Sequence, residues 1–119
     1  MANPNIVNVS SVLGKVSTQA VGTSLTSIVT AGANTVVKIN SLVISNINAS
    51  NLNGSIDVAV NKGTGTDAYL AKEVIVPDAS ALVVISKDNS IYLEETDALQ
   101  LAANATSYLH AVCSYEIIS

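Results

Sequence analysis

Residues 35–46 read TVVKINSLVISN, and this stretch decides the fold. Val37 and Ile39 share one phase of strand alternation, whereas Leu42 and Ile44 share the other. A period of two is typical of a β-strand with one side on a core. The change of phase just before Leu42 predicts a β-bulge, or a bend between sheets, in the middle of this strand.

The rest of the chain repeats the pattern of short strands separated by turn residues. Strands are predicted at 6–13, within 16–30, and at 56–60, 69–76, 81–85, 91–93, 99–103 and 109–117. Eight or nine strands at a spacing of roughly 8 to 12 residues are typical of a sandwich or barrel. The sequence therefore predicts an all-β fold, an antiparallel β-sandwich of jelly-roll-like arrangement with little or no helix. The alternative is a helix at 96–105, where Ala and Leu favour it.

Turns are predicted where Gly, Pro, Asn and Asp cluster. Gly14–Lys15 is expected to turn the chain after the first strand, and Asn53–Gly54 is the dipeptide favoured in hairpins. Pro77–Ser80 and Glu94–Asp97 are expected to be further turns. Because 81–85 is apolar on both faces, it is predicted to be a central strand or to lie between packed layers.

Length and composition point to one small β-rich domain covering 1–119. The chain has 119 residues, of which 49% are hydrophobic and only 3% aromatic, with no Phe or Trp. Its longest apolar runs span three to five residues, whereas a membrane-spanning helix needs about 20. A mean hydropathy of +0.45 also argues against intrinsic disorder.

Charge and cysteine content exclude several classes of function. One Cys permits no internal disulfide framework and no cysteine-based zinc site. A net charge of −4 and a pI near 4.6 argue against a nucleic-acid surface. The N-terminus shows no secretory signal, so we expect synthesis in a cytosol. We expect no cofactor and no resident metal.

Few residues could carry chemistry, and each has a structural interpretation. His110 and Cys113 are three apart on a predicted strand, so they point to opposite faces and cannot form a nucleophile–base pair. The turn containing Glu94, Glu95 and Asp97 could hold a calcium ion, or Glu94 and Asp97 could act as a carboxylate pair on a glycoside. The alternative is an acidic turn that keeps a loop solvated, and we expect no catalytic residue.

The polar residues predict a surface that a neighbour covers. Ser, Thr and Asn dominate, while only 12% of residues are charged, against about a quarter in ordinary soluble domains. Residues 1–9 are expected to form an extended arm on a neighbouring subunit, and either strand-like end of the chain could add an edge strand to a partner. The candidate interaction residues are Asn3, Pro4, Ile6, Tyr69, Tyr108 and His110.

Several segments together resemble a known family. They are the stretches 5–15 and 38–42, a strand that ends in Pro77 and Asp78, the apolar strand 81–85, the stretch 87–99 and the end of the chain at 113–119. In these segments the chain resembles small virion structural proteins of tailed phages, seen especially in phages of marine cyanobacteria. That family commonly has Gly at the position of Thr96, so the turn here is expected to be reshaped.

The resemblance implies a β-sandwich that binds other virion subunits, with no catalytic residue to carry over. Capsid decoration (cement) proteins of this size are commonly trimers on the capsid lattice, so the first expectation is a homotrimer bound to the major capsid protein. The alternatives are a neck, tail or baseplate component, and a small carbohydrate- or host-surface-binding module. Neither a nucleic acid nor a membrane is an expected partner.

Overall fold

The computed structural model describes residues 11–63 and 65–119, and these form nine strands. One short 3₁₀ turn, Lys87–Asn89, is the only helical segment in this part of the chain. The strands are β1 (Val12–Ala20), β2 (Thr26–Thr30), β3 (Val36–Asn46), β4 (Gly54–Asn61), β5 (Asp67–Val76), β6 (Ala81–Ile85), β7 (Ile91–Leu93), β8 (Ala98–Ala103) and β9 (Leu109–Ile118).

The strands form two antiparallel sheets that pack face to face, which confirms the predicted all-β sandwich. The first sheet has the order β1-β9-β3-β6, with β7 also paired to β3, and the second has the order β2-β8-β4-β5. The pairs are nested along the chain: β1 with β9, β2 with β8, β3 with β6 and β7, and β4 with β5. Nested antiparallel pairs shared between two sheets are the arrangement of a jelly roll.

The predicted break in the strand that contains residues 35–46 is confirmed. β3 pairs with β9 along its whole length, and the register shifts between Ile39 and Ser41. Asn40 is therefore the extra residue of a β-bulge. Ile39 and Leu42 are three positions apart, so in a regular strand they would point to opposite faces of the sheet. The bulge lets both point into the core, where neither is exposed to solvent.

The core between the sheets consists of aliphatic side chains, which is how the chain builds a core without Phe or Trp. The largest fully buried side chains are Ile39, Leu42, Ile44, Ile56, Leu93, Leu99, Leu101 and Leu109. They come from both sheets and pack in one cluster that also contains Cys113. Strand alternation therefore predicted correctly which face of β3, β4, β8 and β9 is buried.

Two predictions are wrong, and both concern strands at the edges of the first sheet. Gly14 and Lys15 lie inside β1 and pair with Glu116 and Tyr115, so they do not turn the chain. Residues 81–85 form an edge strand rather than a central one. Val83, on the side of β6 away from the core, is 58% exposed, so the continuous apolar run reflects an uncovered outer surface.

Two further predictions about connections are also corrected. Asn53–Gly54 is not a hairpin turn, because the chain there crosses from β3 in one sheet to β4 in the other. Gly54 is needed for close packing, since a Cβ at this position would lie 2.9 Å from Cδ2 of Leu109. The C-terminal strand lies between β1 and β3, so its two edges are already paired and it has no edge to offer a partner.

The strand bounds settle two further predictions. Residues 96–105 contain the strand β8 and not a helix. Residues 16–30 hold the end of β1 and all of β2, which are two strands rather than one. The predicted arm at 1–9, with Asn3, Pro4 and Ile6, lies outside the described residues. No helix in the described part of the chain is long and apolar enough to cross a membrane.

We predict that Leu42→Ala lowers the free energy of unfolding by about 2–5 kcal/mol, because truncation of a fully buried Leu leaves a cavity beside the bulge. The matched control is Leu52→Ala, since Leu52 is 48% exposed in a loop, and this change should cost less than about 1 kcal/mol. Urea unfolding followed by circular dichroism measures both. Equal losses for the two variants would contradict this position of the core.

Candidate interaction face

The side of the first sheet that points away from the second sheet is here called the outer face. On β9 the outward residues are His110, Val112 and Glu116, because Leu109, Ala111 and Cys113 between them are buried. Their cross-strand partners on β3 are Ser45, Val43 and Lys38. β1, β6 and β7 extend the same surface on either side through Val12, Val16, Val83 and Tyr92.

Five large apolar side chains are exposed on the outer face. Val16 is 64% exposed and Val83 is 58% exposed, and Val12, Tyr92 and Val112 are each close to half exposed. Scattered exposed hydrophobic residues are ordinary, but several on one flat sheet surface are typical of a binding site. The strands that carry them are held by ladder hydrogen bonds on the paired sides, so the surface is rigid before it meets a partner.

A groove of about 580 Å³ lies on this face, and three lysines line it. Lys38 comes from β3 and Lys87 from the 3₁₀ turn between β6 and β7. Lys15 of β1 pairs with the core-side Tyr115 and is out of phase with the outward Val16, so it borders the groove from the edge strand. Glu116 also lines the groove and accepts a hydrogen bond from Nδ2 of Asn40 at 3.3 Å. We call this the lysine groove. Its chemistry suits a partner that presents carboxylates.

The bulge in β3 gives the lysine groove its shape. β6 pairs with the half of β3 after the bulge, and β7 pairs with the half before it. The five residues between β6 and β7 include the 3₁₀ turn that carries Lys87. Asn40, the bulged residue itself, lines the groove beside them.

The other two lysines are already engaged in ion pairs. Nζ of Lys62 lies 2.6 Å from Oδ2 of the buried Asp97, and the hydrogen bond to that carboxylate raises the pKa of Lys62. Nζ of Lys72 lies 3.3 Å from Oδ2 of Asp57, which raises the pKa of Lys72 in the same way. Among the described residues, the lysines of the groove form no such pair.

The acidic turn, predicted as a candidate ion site, uses its carboxylates within the protein. Asp97 accepts hydrogen bonds from the backbone N–H of Glu94 at 3.0 Å and from Lys62. Glu95 accepts one from the backbone N–H of Asn34, which ties the turn to the loop before β3. In the described part of the chain, no group of three His, Cys, Asp or Glu is arranged to hold a metal ion.

Thr96 lies in the acidic turn with a φ of +71°, in the left-handed region that costs a β-branched residue energy. The turn is held on both sides, because the N–H of Thr96 donates to the carbonyl of Ala31 and the N–H of Asp97 donates to that of Glu94. These hydrogen bonds offset the cost of Thr in this conformation.

Of the predicted interaction residues, the three that the structure describes lie in different places. His110 is exposed on the outer face, whereas Tyr69 is 45% exposed on β5 in the other sheet. Tyr108 is partly buried and packs against the core. The lysine groove was missed because its residues are far apart in sequence, although the outward phase of Lys38 between Val37 and Ile39 was a usable signal.

Cys113 and His110 point to opposite faces, as the strand phase predicted. Cys113 is fully buried in the core and His110 is exposed. Burial raises the pKa of the Cys113 thiol from 9.0 to about 11. The thiol is therefore neutral at physiological pH and inert as a nucleophile.

We predict that native protein at pH 8 is alkylated by iodoacetamide far more slowly than unfolded protein, because only the thiolate reacts and the native thiol is both shielded and neutral. Mass spectrometry of timed samples with and without urea measures the extent of alkylation. Equal rates for native and unfolded protein would contradict the burial of Cys113.

The raised pKa of Cys113 also predicts that the free energy of unfolding falls as the pH rises from about 9 to about 11, since the thiol ionises first in the unfolded chain.

Comparison with known proteins assigns no function to the chain, so the function is inferred from the geometry of the outer face. No protein-family model matches the chain, and no curated protein matches it significantly.

Proposed function

We propose that the protein is a non-enzymatic structural protein of a tailed-phage virion, a capsid decoration (cement) protein that binds the capsid lattice as a trimer. The outer face is the observation that carries the proposal, because it presents several exposed apolar side chains on a rigid and weakly charged sheet. The resemblance of the sequence to small phage virion proteins is the reason for proposing a virion as the assembly.

The physical properties of the outer face suit a subunit that buries this face against a neighbour in the assembled particle. Burial of apolar surface contributes about 25 cal/mol for each Å² removed from water. A pre-formed sheet loses little conformational entropy when it binds, so modest contacts suffice. On a repeated lattice, several weak contacts made by one oligomer add through avidity.

The fold also suits a structural role. Two sheets held by nested long-range pairs, and a core of close-packed aliphatic side chains, make a module that keeps its shape. The Lys62–Asp97 pair and the Asn34–Glu95 hydrogen bond fix a loop at one end of the sandwich. Such a module presents fixed surfaces to its neighbours.

The test is reconstitution on capsids that lack the protein. We expect the wild-type chain to saturate them at a stoichiometry set by the lattice, and to raise their resistance to heat. Val83→Asp combined with Val112→Asp should weaken binding about tenfold or more, because both carboxylates would be desolvated in the contact. Leu52→Asp, which places one such carboxylate on an exposed loop, should bind as the wild type does.

Two outcomes would redirect or overturn the proposal. Copies counted in the virion should number in the hundreds for a lattice protein, whereas a few dozen or fewer would indicate the neck, tail or baseplate. A folded chain that binds neither capsids nor any other virion component would contradict a structural role.

A further inference from the structure

The charges of the chain are separated into a positive groove and a negative remainder. The outward charged residues of the lysine groove are Lys38, Lys87 and Glu116, a formal charge of +1. Since the whole chain carries −4, the rest of the molecule carries −5. Lys62 and Lys72 are paired within the chain, so the positive charge available to a partner is concentrated in the groove.

A surface with the opposite charge lies on the second sheet, at β4 and β5. It contains Asp57, Asp67, Lys72 and Glu73, a formal charge of −2, and we call it the acidic face. Asp67 pairs with Asn61 in the ladder, and Lys72 reaches Asp57 across it.

Apolar side chains accompany the acidic face as they accompany the groove. Among the described residues, exposed large hydrophobic side chains form two main groups, one on the outer face and one on β5, where Tyr69 and Ile75 lie on the same side of the sheet as Asp57 and Asp67. The ring of Tyr69 lies under Nζ of Lys72, 4.8 Å from it. Each group therefore combines exposed apolar area with charge, and the two charges are opposite in sign.

The structure of β5 favours contact through this face rather than through the open edge of the strand. The register of β4 and β5 shifts twice, between Ile56 and Val58 and between Val58 and Ala59. The backbone N–H of Glu73, which has a φ of +53°, donates to Oδ1 of Asp57 at 2.7 Å. Bulges in an edge strand impede the addition of a further strand by a partner. Because the hydrogen bond from Glu73 to Asp57 stabilises the bulged backbone, Asp57 helps to prevent strand addition at the unpaired edge of β5.

We propose that the lysine groove binds the acidic face of a second copy of this chain, so that copies join head to tail through two different surfaces. The inference rests on the proposed function, because it names the contact that holds the proposed trimer together. A contact between two different surfaces leaves one of each free, so it continues until a ring closes. A trimer is one such ring, and it covers the acidic face and the part of the outer face around the groove, while Val83 and Val112, which lie beyond the bulge and do not line the groove, stay available to the lattice.

Charge complementarity favours this occupant over a nucleic acid. Two lysines and a carboxylate on the outer face provide few phosphate contacts, whereas nucleic-acid surfaces need clustered Lys and Arg. The net positive charge of the groove is opposite in sign to the −2 of the acidic face.

Charge exchange on the full-length chain tests the proposal. The first variant, Lys38→Glu with Lys87→Glu, changes the outward charge of the groove from +1 to −3. The second, Asp67→Lys with Glu73→Lys, changes the acidic face from −2 to +2. Each variant alone should weaken self-association about tenfold or more, because like charges then meet in the contact. The variant with all four changes should recover the wild-type oligomer. Asp78→Lys, in the turn after β5, is the control and should change nothing.

Sedimentation velocity at low and high salt gives the readout, and thermal unfolding checks that each variant is folded. The proposal predicts that wild-type association weakens as salt rises. It is overturned if the two double variants, both folded, associate as the wild type does, or if the fourfold variant stays dissociated. A monomeric wild-type chain that still binds capsids would also overturn it, together with the trimer of the proposed function, while leaving the role in capsid binding intact. A groove variant that loses only the binding of DNA, measured by filter retention, would show a nucleic-acid site instead.

Discussion

The pairing of β3 is the constraint on which the rest of the molecule depends. This strand pairs with β9 on one side and with β6 and β7 on the other, so three of its neighbours take their register from it. Its bulge at Asn40 keeps both halves of the strand on the core. Without the bulge, every residue after it would face the wrong side of the sheet, because side chains alternate with a period of two.

The same constraint positions the surface that we assign to binding. Because β6 and β7 attach on either side of the bulge, the chain between them is free to leave the sheet plane, and it carries Lys87 there. Lys38 and Glu116 face outward as a cross-strand pair on the adjacent strands. A packing requirement in the core therefore also creates the groove on the outside.

Sequence predicted those features that local alternation encodes. The break in β3 and the buried phases of β4, β8 and β9 follow from side-chain period, and they agree with the structure. Alternation does not encode the position of a strand within a sheet, and for this reason Gly14 and the run 81–85 were misassigned. The lysine groove depends on the long-range register of residues 15, 38 and 87, which no local pattern contains. The opposing charges of the two faces became evident only after the sheets were placed.

The central claim is that the outer face is covered when the protein is at work. Photochemical carbene labelling of the dissociated chain and of the assembled virion, read by mass spectrometry, tests it most directly. The account predicts that Val83, Tyr92 and Val112 lose most of their labelling on assembly, while Ile47 and Leu52, in the loop between the sheets, keep theirs. Equal labelling of the outer face in both states would contradict it.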